Sequence, residues 1–363
     1  MVDQASALEP HYPFKSHFLE IDGHRMHYVD EGTGPVVVML HGNPTWSFYY
    51  RHLISGLSDR FRVIAPDHIG CGLSEKPRVY PYTLGTHIDN IDRLLEHLEV
   101  SDVTLAVHDW GGAIGFGWAM RRPQRVKRFV VFNTAAFLEG RTPLRIRVCG
   151  WPIVGEVLVR GFNAFARSAL HMASKVPGRM TPEIRRGYLM PYDSYGHRVA
   201  ILRFVRDIPS TTLVKESKLR PASRLRRWRQ RLAGALGVRP KTGGHPGSFQ
   251  NPTVREGPLG RTLSSLNPQS HNLHRTAKPS IPSHKILREI EEALPGFADR
   301  PMIIFWGMRD FCFHEGFLDG WTRRFPDAEV HRFADAGHYV VEDAHERILP
   351  LLRAFLEKTD AAT

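Results

Sequence analysis

The sequence contains little cysteine and no long apolar run. Its 363 residues include only Cys71, Cys149 and Cys312, which match no metal-ligand spacing and would leave one thiol unpaired if two formed a disulfide. We expect all three to be reduced thiols. No stretch is apolar over the roughly 18 residues that a transmembrane helix needs, and the start, MVDQASALEP, lacks the basic and apolar regions of a secretion signal. The sequence therefore predicts a cytoplasmic protein without disulfides or a transmembrane segment.

The charge of the chain is unevenly distributed. The formal net charge is +12, but this whole excess lies in residues 213–282, where 14 Lys and Arg oppose only Glu216 and Glu256. The rest carries 35 basic residues (49 minus 14) and 35 acidic residues (37 minus 2). A charge run beside a neutral domain is more often a solvated segment than a nucleic-acid site. We therefore expect no nucleic-acid partner. The alternative, a segment that binds nucleic acid, is favoured by the basic run RLRRWRQR at residues 224–231, which contains one aromatic residue.

Short apolar runs alternate with helical patterns along the first third of the chain. VVVML at residues 36–40 and VTLAV at residues 103–107 have the continuous apolar character of strands buried on both faces of a parallel sheet. Residues 87–98 carry apolar side chains at helical spacing. The alternation predicts an α/β fold with a mostly parallel, doubly wound sheet, whose ligands bind at the carboxyl ends of the strands. Further strand patterns lie at residues 62–65, 129–132, 302–306 and 329–333.

The alternation stops in the middle of the chain. We predict that residues 1–133 and 301–363 form the sheet domain and that residues 134–300 form an inserted helical lid. Within this lid, residues 211–283 are rich in Gly, Pro and basic residues and poor in aromatic residues. Such a composition buries too little apolar surface to offset the entropy of ordering, so it predicts a disordered basic insertion.

The stretch HDWGGAIG, residues 108–115, follows one of the predicted strands and begins a helix of small residues. Asp109 stands at the turn, and Gly111 and Gly112 follow it closely. A strand, a sharp turn and a helix form a nucleophile elbow, which needs small neighbours because the nucleophile projects from a strained turn above the sheet. The order G-x-G-x-x-G of a dinucleotide-binding loop is absent here. Asp109 is therefore a candidate nucleophile, with a helix cap or an ion-pair partner as the structural alternative.

Two further residues follow later strands. Asp310 comes after the strand MIIFW, and His338 lies in DAGH after the next strand. The chain order nucleophile, acid and histidine is the order of the α/β-hydrolase triad. Each residue alone is a weak signal, because the chain contains 20 histidines. Together the three residues predict the α/β-hydrolase fold and an enzyme.

The loop HGNPTWS, residues 41–47, follows the first apolar strand, where this fold places a donor to the oxyanion hole. The donors would be Asn43 and Trp110, which both also own side-chain N–H groups. A carboxylate with a pKa of about 4 is already ionised at neutral pH, so Asp109 needs no base before it attacks a saturated carbon. His338, oriented by Asp310, would then activate water to hydrolyse the resulting ester.

The segments HGNPTWSFYYR, PDHIGCGLSEKP, HDWGGAIG, WGMRD and DAGHY together resemble the haloalkane dehalogenase family. The acid Asp310 follows the strand that precedes His338, and the two donors are an Asn and a Trp. This combination is similar to that of the third subfamily, which includes the β-lactone decarboxylases of long-chain olefin biosynthesis. The resemblance implies a small apolar substrate and the formation of homo-oligomers. It implies Asp109 as nucleophile, His338 as base, Asp310 as the acid that orients it, and Asn43 with Trp110 as halide or oxyanion donors.

Four functions remain open from the sequence. The same five residues would serve a haloalkane dehalogenase, which releases an alcohol and halide, or a β-lactone decarboxylase, which releases an alkene and carbon dioxide. An epoxide hydrolase would also need lid tyrosines, for which Tyr188 and Tyr192 are candidates, although lid packing is their simpler role. A binding protein without catalysis would not need the complete set.

The remaining residues near the motifs receive structural interpretations. His41 and His108 are expected to be hydrogen-bonded structural residues, and the sequence contains no cofactor motif and no metal-ligand cluster. A set of apolar residues in the lid follows helical spacing, which predicts that they lie in the lid core or in an apolar pocket wall: Phe162, Phe165, Leu170 and Met172.

Overall fold

A computed structural model of the protein describes residues 8–139, 142–208 and 282–361. Its central sheet has eight strands, β1 (His17–Ile21), β2 (His24–Glu31), β3 (Val36–Leu40), β4 (Arg62–Pro66), β5 (Val103–Asp109), β6 (Val126–Thr134), β7 (Met302–Gly307) and β8 (Glu329–Phe333). The strand order is β1-β2-β4-β3-β5-β6-β7-β8. Only the β1–β2 and β2–β4 pairs are antiparallel. The predicted mostly parallel sheet is therefore confirmed.

Helices follow most of the strands. The sheet is accompanied by α1 (Arg51–Leu57), α2 (Leu84–His97), α3 (Trp110–Arg121), α8 (Ser283–Ala293), α9 (Glu315–Arg324) and α10 (Val340–Ala361). Between β6 and β7 the chain forms α4 (Leu144–Cys149), a π-helix (Glu156–Gly161), α5 (Ala164–Met172), α6 (Pro182–Leu189) and α7 (Val199–Asp207). Short 3₁₀ turns occupy Ser47–Tyr50, Pro123–Arg125, Met190–Tyr192, Gly196–Arg198 and Leu294–Phe297.

The alternation of side chains along the strands divides the core between the two faces of the sheet. In β3, Val38 and Leu40 join an apolar cluster with residues of α2 and α3, whereas Val37 and Met39 join a second cluster with residues of α1 and α10. Both faces are therefore covered by helices, which explains why β3 reads as a continuous apolar run.

The β1–β2 hairpin was not among the predicted strands. Every second residue of β1 is more exposed than its neighbours, and its sequence HFLEI mixes apolar and polar residues. A strand at the edge of the sheet that is covered on one side has no continuous apolar run, so it lacks the pattern that identified the central strands. The helix predicted at residues 87–98 begins earlier, at Leu84, where the Thr83 hydroxyl accepts a hydrogen bond from the Thr86 N–H (3.4 Å).

The described residues between β6 and β7, which we call the lid, are largely helical, and one prediction within them is wrong. Phe162 ends the π-helix with 67% of its surface exposed, so it belongs neither to the lid core nor to a pocket wall. The domain boundaries at residues 133 and 301 stay a prediction. The predicted disordered insertion, residues 211–283, lies outside the described residues apart from its last two.

Candidate active site

The turn between β5 and α3 presents Asp109. All seven residues of β5 are buried, and Asp109 has a backbone φ of 51°, which an L-residue adopts only when its surroundings require it. The Thr134 hydroxyl donates to the Asp109 carbonyl and holds the turn against β6. A Cβ atom at Gly111 would overlap the Leu40 carbonyl, so only glycine lets α3 approach the sheet this closely. These features match the strained turn of a nucleophile elbow.

His338 lies between two carboxylates. Its Nδ1 atom is 2.8 Å from Asp310 Oδ2, and its Nε2 atom is 3.5 Å from Asp109 Oδ2. The other oxygen of Asp310 accepts the backbone N–H groups of Cys312 (2.6 Å) and Phe313 (3.1 Å). The Phe313 ring also stacks on the imidazole, with the ring centroids 5.7 Å apart. The loops after β7 and β8 therefore fix the histidine so that one nitrogen faces the candidate nucleophile.

The electrostatics of this trio favour an ion pair. Burial opposes protonation of His338, but the charge of Asp310 and the hydrogen bond and charge of Asp109 raise its pKa to about 10. Burial likewise opposes ionisation of Asp109, yet the hydrogen bond and charge of His338 and the Asn43 N–H hold the pKa of this carboxyl below its usual value. At neutral pH, Asp109 is an anion and His338 a cation.

The two predicted donors are placed differently. The backbone N–H of Asn43 donates to Asp109 Oδ1 (2.7 Å), which leaves Oδ2 as the oxygen that faces His338. The side-chain amide of Asn43 donates to the carbonyl of Ile201 in α7 (3.2 Å), so one of its two N–H groups is already held by the lid. Trp110 is half-buried, packs against Phe204 with the ring centroids 5.3 Å apart, and lines the cavities beside Asp109.

Two mainly apolar cavities meet at Asp109. Both are lined by the same five residues, which we call the fork: Asp109, Trp110, Ile146, Ile208 and Cys312. The first cavity, arm 1, continues past Ala135, Phe137, Leu287, Phe313 and Phe317. The second, arm 2, continues past Ala164, Phe165, Met172, Val205 and Phe311, and also contacts Asn43 and His338. The site thus offers two overlapping apolar cavities to one carboxylate.

Sequence reasoning missed three residues of the fork. Ile146, Ile208 and Cys312 have no motif of their own, and one isoleucine lies in α4 whereas the other directly follows α7. Cys312 carries one available signal, because it stands two residues after Asp310 on the loop that holds that acid. Burial raises the pKa of its thiol well above the usual value, so Cys312 is a neutral wall residue.

The two lid tyrosines are engaged elsewhere. The Tyr188 hydroxyl donates to Glu342 Oε2 (2.8 Å), and the Tyr192 hydroxyl donates to the carbonyl of Thr45 (3.4 Å). Neither residue lines arm 1 or arm 2. The alternative of an epoxide hydrolase therefore lacks its proton donors among these two residues.

The histidines beside the motif loops make internal hydrogen bonds. His41 Nδ1 donates to the Gly42 carbonyl (2.7 Å), and His108 Nε2 donates to the His338 carbonyl (2.9 Å). Burial lowers the pKa of both rings, which keeps them neutral. In the part of the chain that the structure describes, no group of three or more His, Cys, Asp or Glu is arranged to hold a metal ion.

Comparisons with known proteins agree with this geometry. Residues 35–162 match the family model described as alpha/beta hydrolase fold. The chain is 40% identical to a cis-3-alkyl-4-alkyloxetan-2-one decarboxylase of Xanthomonas campestris pv. campestris, over 96% of this chain and 98% of the relative. A decarboxylase of the same name from Shewanella oneidensis is 38% identical over 96% of this chain and 90% of the relative.

Haloalkane dehalogenases form a second group of similar proteins. One from Mycolicibacterium paratuberculosis is 34% identical over 74% of this chain and 91% of the relative. The crystal structure of the dehalogenase DbeA from Bradyrhizobium elkani superimposes with a TM-score of 0.72 at 21% identity, covering 96% of this chain and all of that one. At this identity the superposition shows the fold alone.

Proposed function

This chain is a haloalkane dehalogenase-like enzyme of the α/β-hydrolase superfamily, and from that premise we propose that it decarboxylates cis-3-alkyl-4-alkyloxetan-2-ones, the β-lactones that carry two alkyl chains. The observation that carries the proposal is the pair of arms that meet at Asp109. A dialkyl lactone has two apolar chains on adjacent ring carbons and needs a site with two channels, whereas a terminal haloalkane needs only one. The 38% and 40% identity to decarboxylases of such lactones supports the same choice.

We propose that Asp109 attacks the ring first. Its Oδ1 atom is held by the Asn43 N–H (2.7 Å), so Oδ2 is the nucleophile. Oδ2 forms a bond to ring carbon C4, and the bond between C4 and the ring oxygen breaks. That oxygen becomes part of a new carboxylate on C3. One negative charge is consumed on Asp109 and one is formed on the substrate, so the site keeps its total charge.

Carbon dioxide leaves in the second step. The electron pair of the bond between C3 and the carboxylate forms the C3=C4 double bond, and the bond between C4 and Asp109 Oδ2 breaks. The products are an alkene, carbon dioxide and the original Asp109 carboxylate, and no water is consumed. Backside attack inverts C4 and sets the ester oxygen opposite the carboxylate, so anti elimination gives the cis alkene from the cis lactone.

In this reaction His338 serves as a cation and transfers no proton. It faces Asp109 before the attack, at 3.5 Å from Oδ2, and the carboxylate of the opened ring takes over this ion pair afterwards. Because a negative charge is present at every stage, the causes that raise the pKa of His338 persist. Asp310 positions the ring from the other side.

Dehalogenation is the second candidate, and the Asp310–His338 pair favours it. When a haloalkane esterifies Asp109, this side chain loses its negative charge, and the halide that departs puts no new carboxylate beside His338. One of the two charges that raise the pKa of His338 therefore disappears. The imidazole can then lose its proton and act as a general base toward water. The Asn43 N–H, bound to Oδ1, stabilises the oxyanion that forms when water attacks the ester.

The proposal is tested with both substrates in parallel. The full chain is given a cis-dialkyl lactone or a bromoalkane of similar chain length, and alkene, carbon dioxide and bromide are measured. We expect cis alkene and carbon dioxide in equal amounts, with all products absent in the Asp109→Ala variant. A single turnover in ¹⁸O-water should leave Asp109 unlabelled with the lactone and labelled with the bromoalkane. Bromide release without any alkene would show that the chain is a dehalogenase.

A further inference from the structure

The lid carries an exposed apolar surface that the proposed reaction does not use. Trp151, Ile153 and Phe162 have 52%, 77% and 67% of their surface exposed, and Leu144 and Val157 are also exposed. These five residues, which we call the lid patch, lie on α4, the π-helix and the turns that follow them. Single exposed apolar side chains are common, but five large ones within 19 residues mark an interaction surface.

Basic residues lie close to the lid patch in sequence. Arg145, Arg147 and Arg167 are exposed on α4 and α5, and none forms an ion pair with another described residue. The only acidic residue between positions 142 and 172 is Glu156, which is neutralised by Arg160 and Arg206, each 2.9 Å away. Aromatic and aliphatic side chains bordered by uncompensated arginines are the composition of a surface that lies on an anionic bilayer.

The lid patch also lies close in sequence to residues that line arm 2, because Leu144 directly precedes Arg145 and Trp151 follows Cys149 by two positions. Arg145 and Ser168 line this arm and are themselves exposed, so the arm reaches the surface between α4 and α5. Cys149 and Phe165, on the same two helices, continue its wall inward. A membrane bound to α4 and the turn after it therefore lies beside residues of arm 2, which leads to Asp109.

We propose that the lid patch docks this protein peripherally on an anionic membrane, with Trp151, Ile153 and Phe162 at the level of the lipid headgroups. None of the described helices is long and apolar enough to cross a bilayer, so the contact is superficial. Exposed arginines beside the patch pair with lipid phosphates. Membrane docking does not depend on the identity of the reaction, but it gives an apolar substrate dissolved in the bilayer a direct path into arm 2.

Vesicle binding tests the docking. The full chain is sedimented with vesicles of equal parts phosphatidylcholine and phosphatidylglycerol, and the Ile153→Glu, Phe162→Glu double variant is compared with Val79→Glu. Val79 is 91% exposed outside the lid patch and serves as the matched control. We expect the double variant to lose at least tenfold in vesicle binding and the control to bind as the unmodified chain does. Circular dichroism melts verify that both variants fold.

Fluorescence locates the contact. Brominated lipids should quench the emission of Trp151, and the Trp151→Phe variant should lose this quenching while it still sediments. Equal vesicle binding by the double variant and the unmodified chain would overturn the proposal and assign the binding to another basic region. Absence of vesicle binding, combined with a doubled molar mass that the double variant loses, would overturn it in favour of an interface between two copies of the chain.

Discussion

Replacing His338 by glutamine should separate the two reactions that this site can support. In ester hydrolysis the imidazole must take a proton from water, and loss of a general base lowers rates by roughly 10²–10⁴. In the decarboxylation that we propose, no proton moves. The imidazolium attracts the Asp109 carboxylate before the attack and the substrate carboxylate after it. Its loss therefore destabilises both the state before ring opening and the state after it. We expect alkene formation to fall by less than about tenfold, the equivalent of ~1.4 kcal/mol.

The assay follows both products from one preparation of His338→Gln. Bromoalkane should release about one bromide per site and then stop, with the alkyl group retained on Asp109 and visible by intact-protein mass spectrometry. Lactone should continue to turn over to alkene. Measurement at about pH 8 keeps Asp109 ionised, because without His338 its buried carboxyl has a higher pKa. Alkene and bromide turnover lost in equal proportion would refute the water-free route and make His338 a base in both reactions.

The charge state of His338 provides an independent control. Because Asp310 and Asp109 raise its pKa to about 10, the ion pair stabilises the folded chain fully below the unfolded pKa of about 6.5. This contribution is lost as the pH rises through the folded pKa. The difference in melting temperature between the unmodified chain and His338→Gln should therefore shrink from neutral pH toward pH 10. A difference that is constant with pH would contradict the raised pKa.

Four further substitutions test other parts of the structure. In Gly42→Ala, the new Cβ overlaps the Asp109 carboxylate, so both reactions should fall at least about a hundredfold in the folded variant; near-normal turnover would contradict this placement. Ala135→Leu narrows arm 1 and Ala164→Leu narrows arm 2, so each should shorten the accepted alkyl chain at one ring carbon only, measured with lactones lengthened at one position at a time. Glu342→Gln breaks a buried ion pair and should lower the free energy of unfolding by ~3–5 kcal/mol in urea titrations, against about 1 kcal/mol or less for a surface pair.

The sequence predicts the central strands because their burial is nearly uniform. VVVML and VTLAV became β3 and most of β5, whose residues pack against helices on both faces of the sheet. The strands of the β1–β2 hairpin lack this signal, because β1 alternates between more and less exposed side chains, and β2, although buried from Met26 to Val29, mixes polar residues such as His24 and His27 with apolar ones. Chain order and position at strand ends are sufficient to predict that Asp109, Asp310 and His338 lie close together, because the carboxyl ends of parallel strands meet at one edge of the sheet.

The cavity could not be predicted in the same way. Ile146 and Ile208 reach the fork only through the packing of lid helices, which no local pattern encodes. The hydrogen bond from the Asn43 side-chain amide to the Ile201 carbonyl likewise joins residues 158 positions apart in the sequence, so no local pattern predicts it. The roles of the five predicted site residues remain proposals that the substitutions above address.

Because the cavity is branched, substitutions in one arm can act independently of substitutions in the other arm. Side chains that contact one arm only, such as Phe317 or Met172, can be substituted to change the space in that arm without altering the other arm or the nucleophile. Cys312 has no such freedom, because it borders both channels and its backbone helps to hold Asp310. A mutational library aimed at substrates of different length should therefore keep the fork constant and diversify each arm independently.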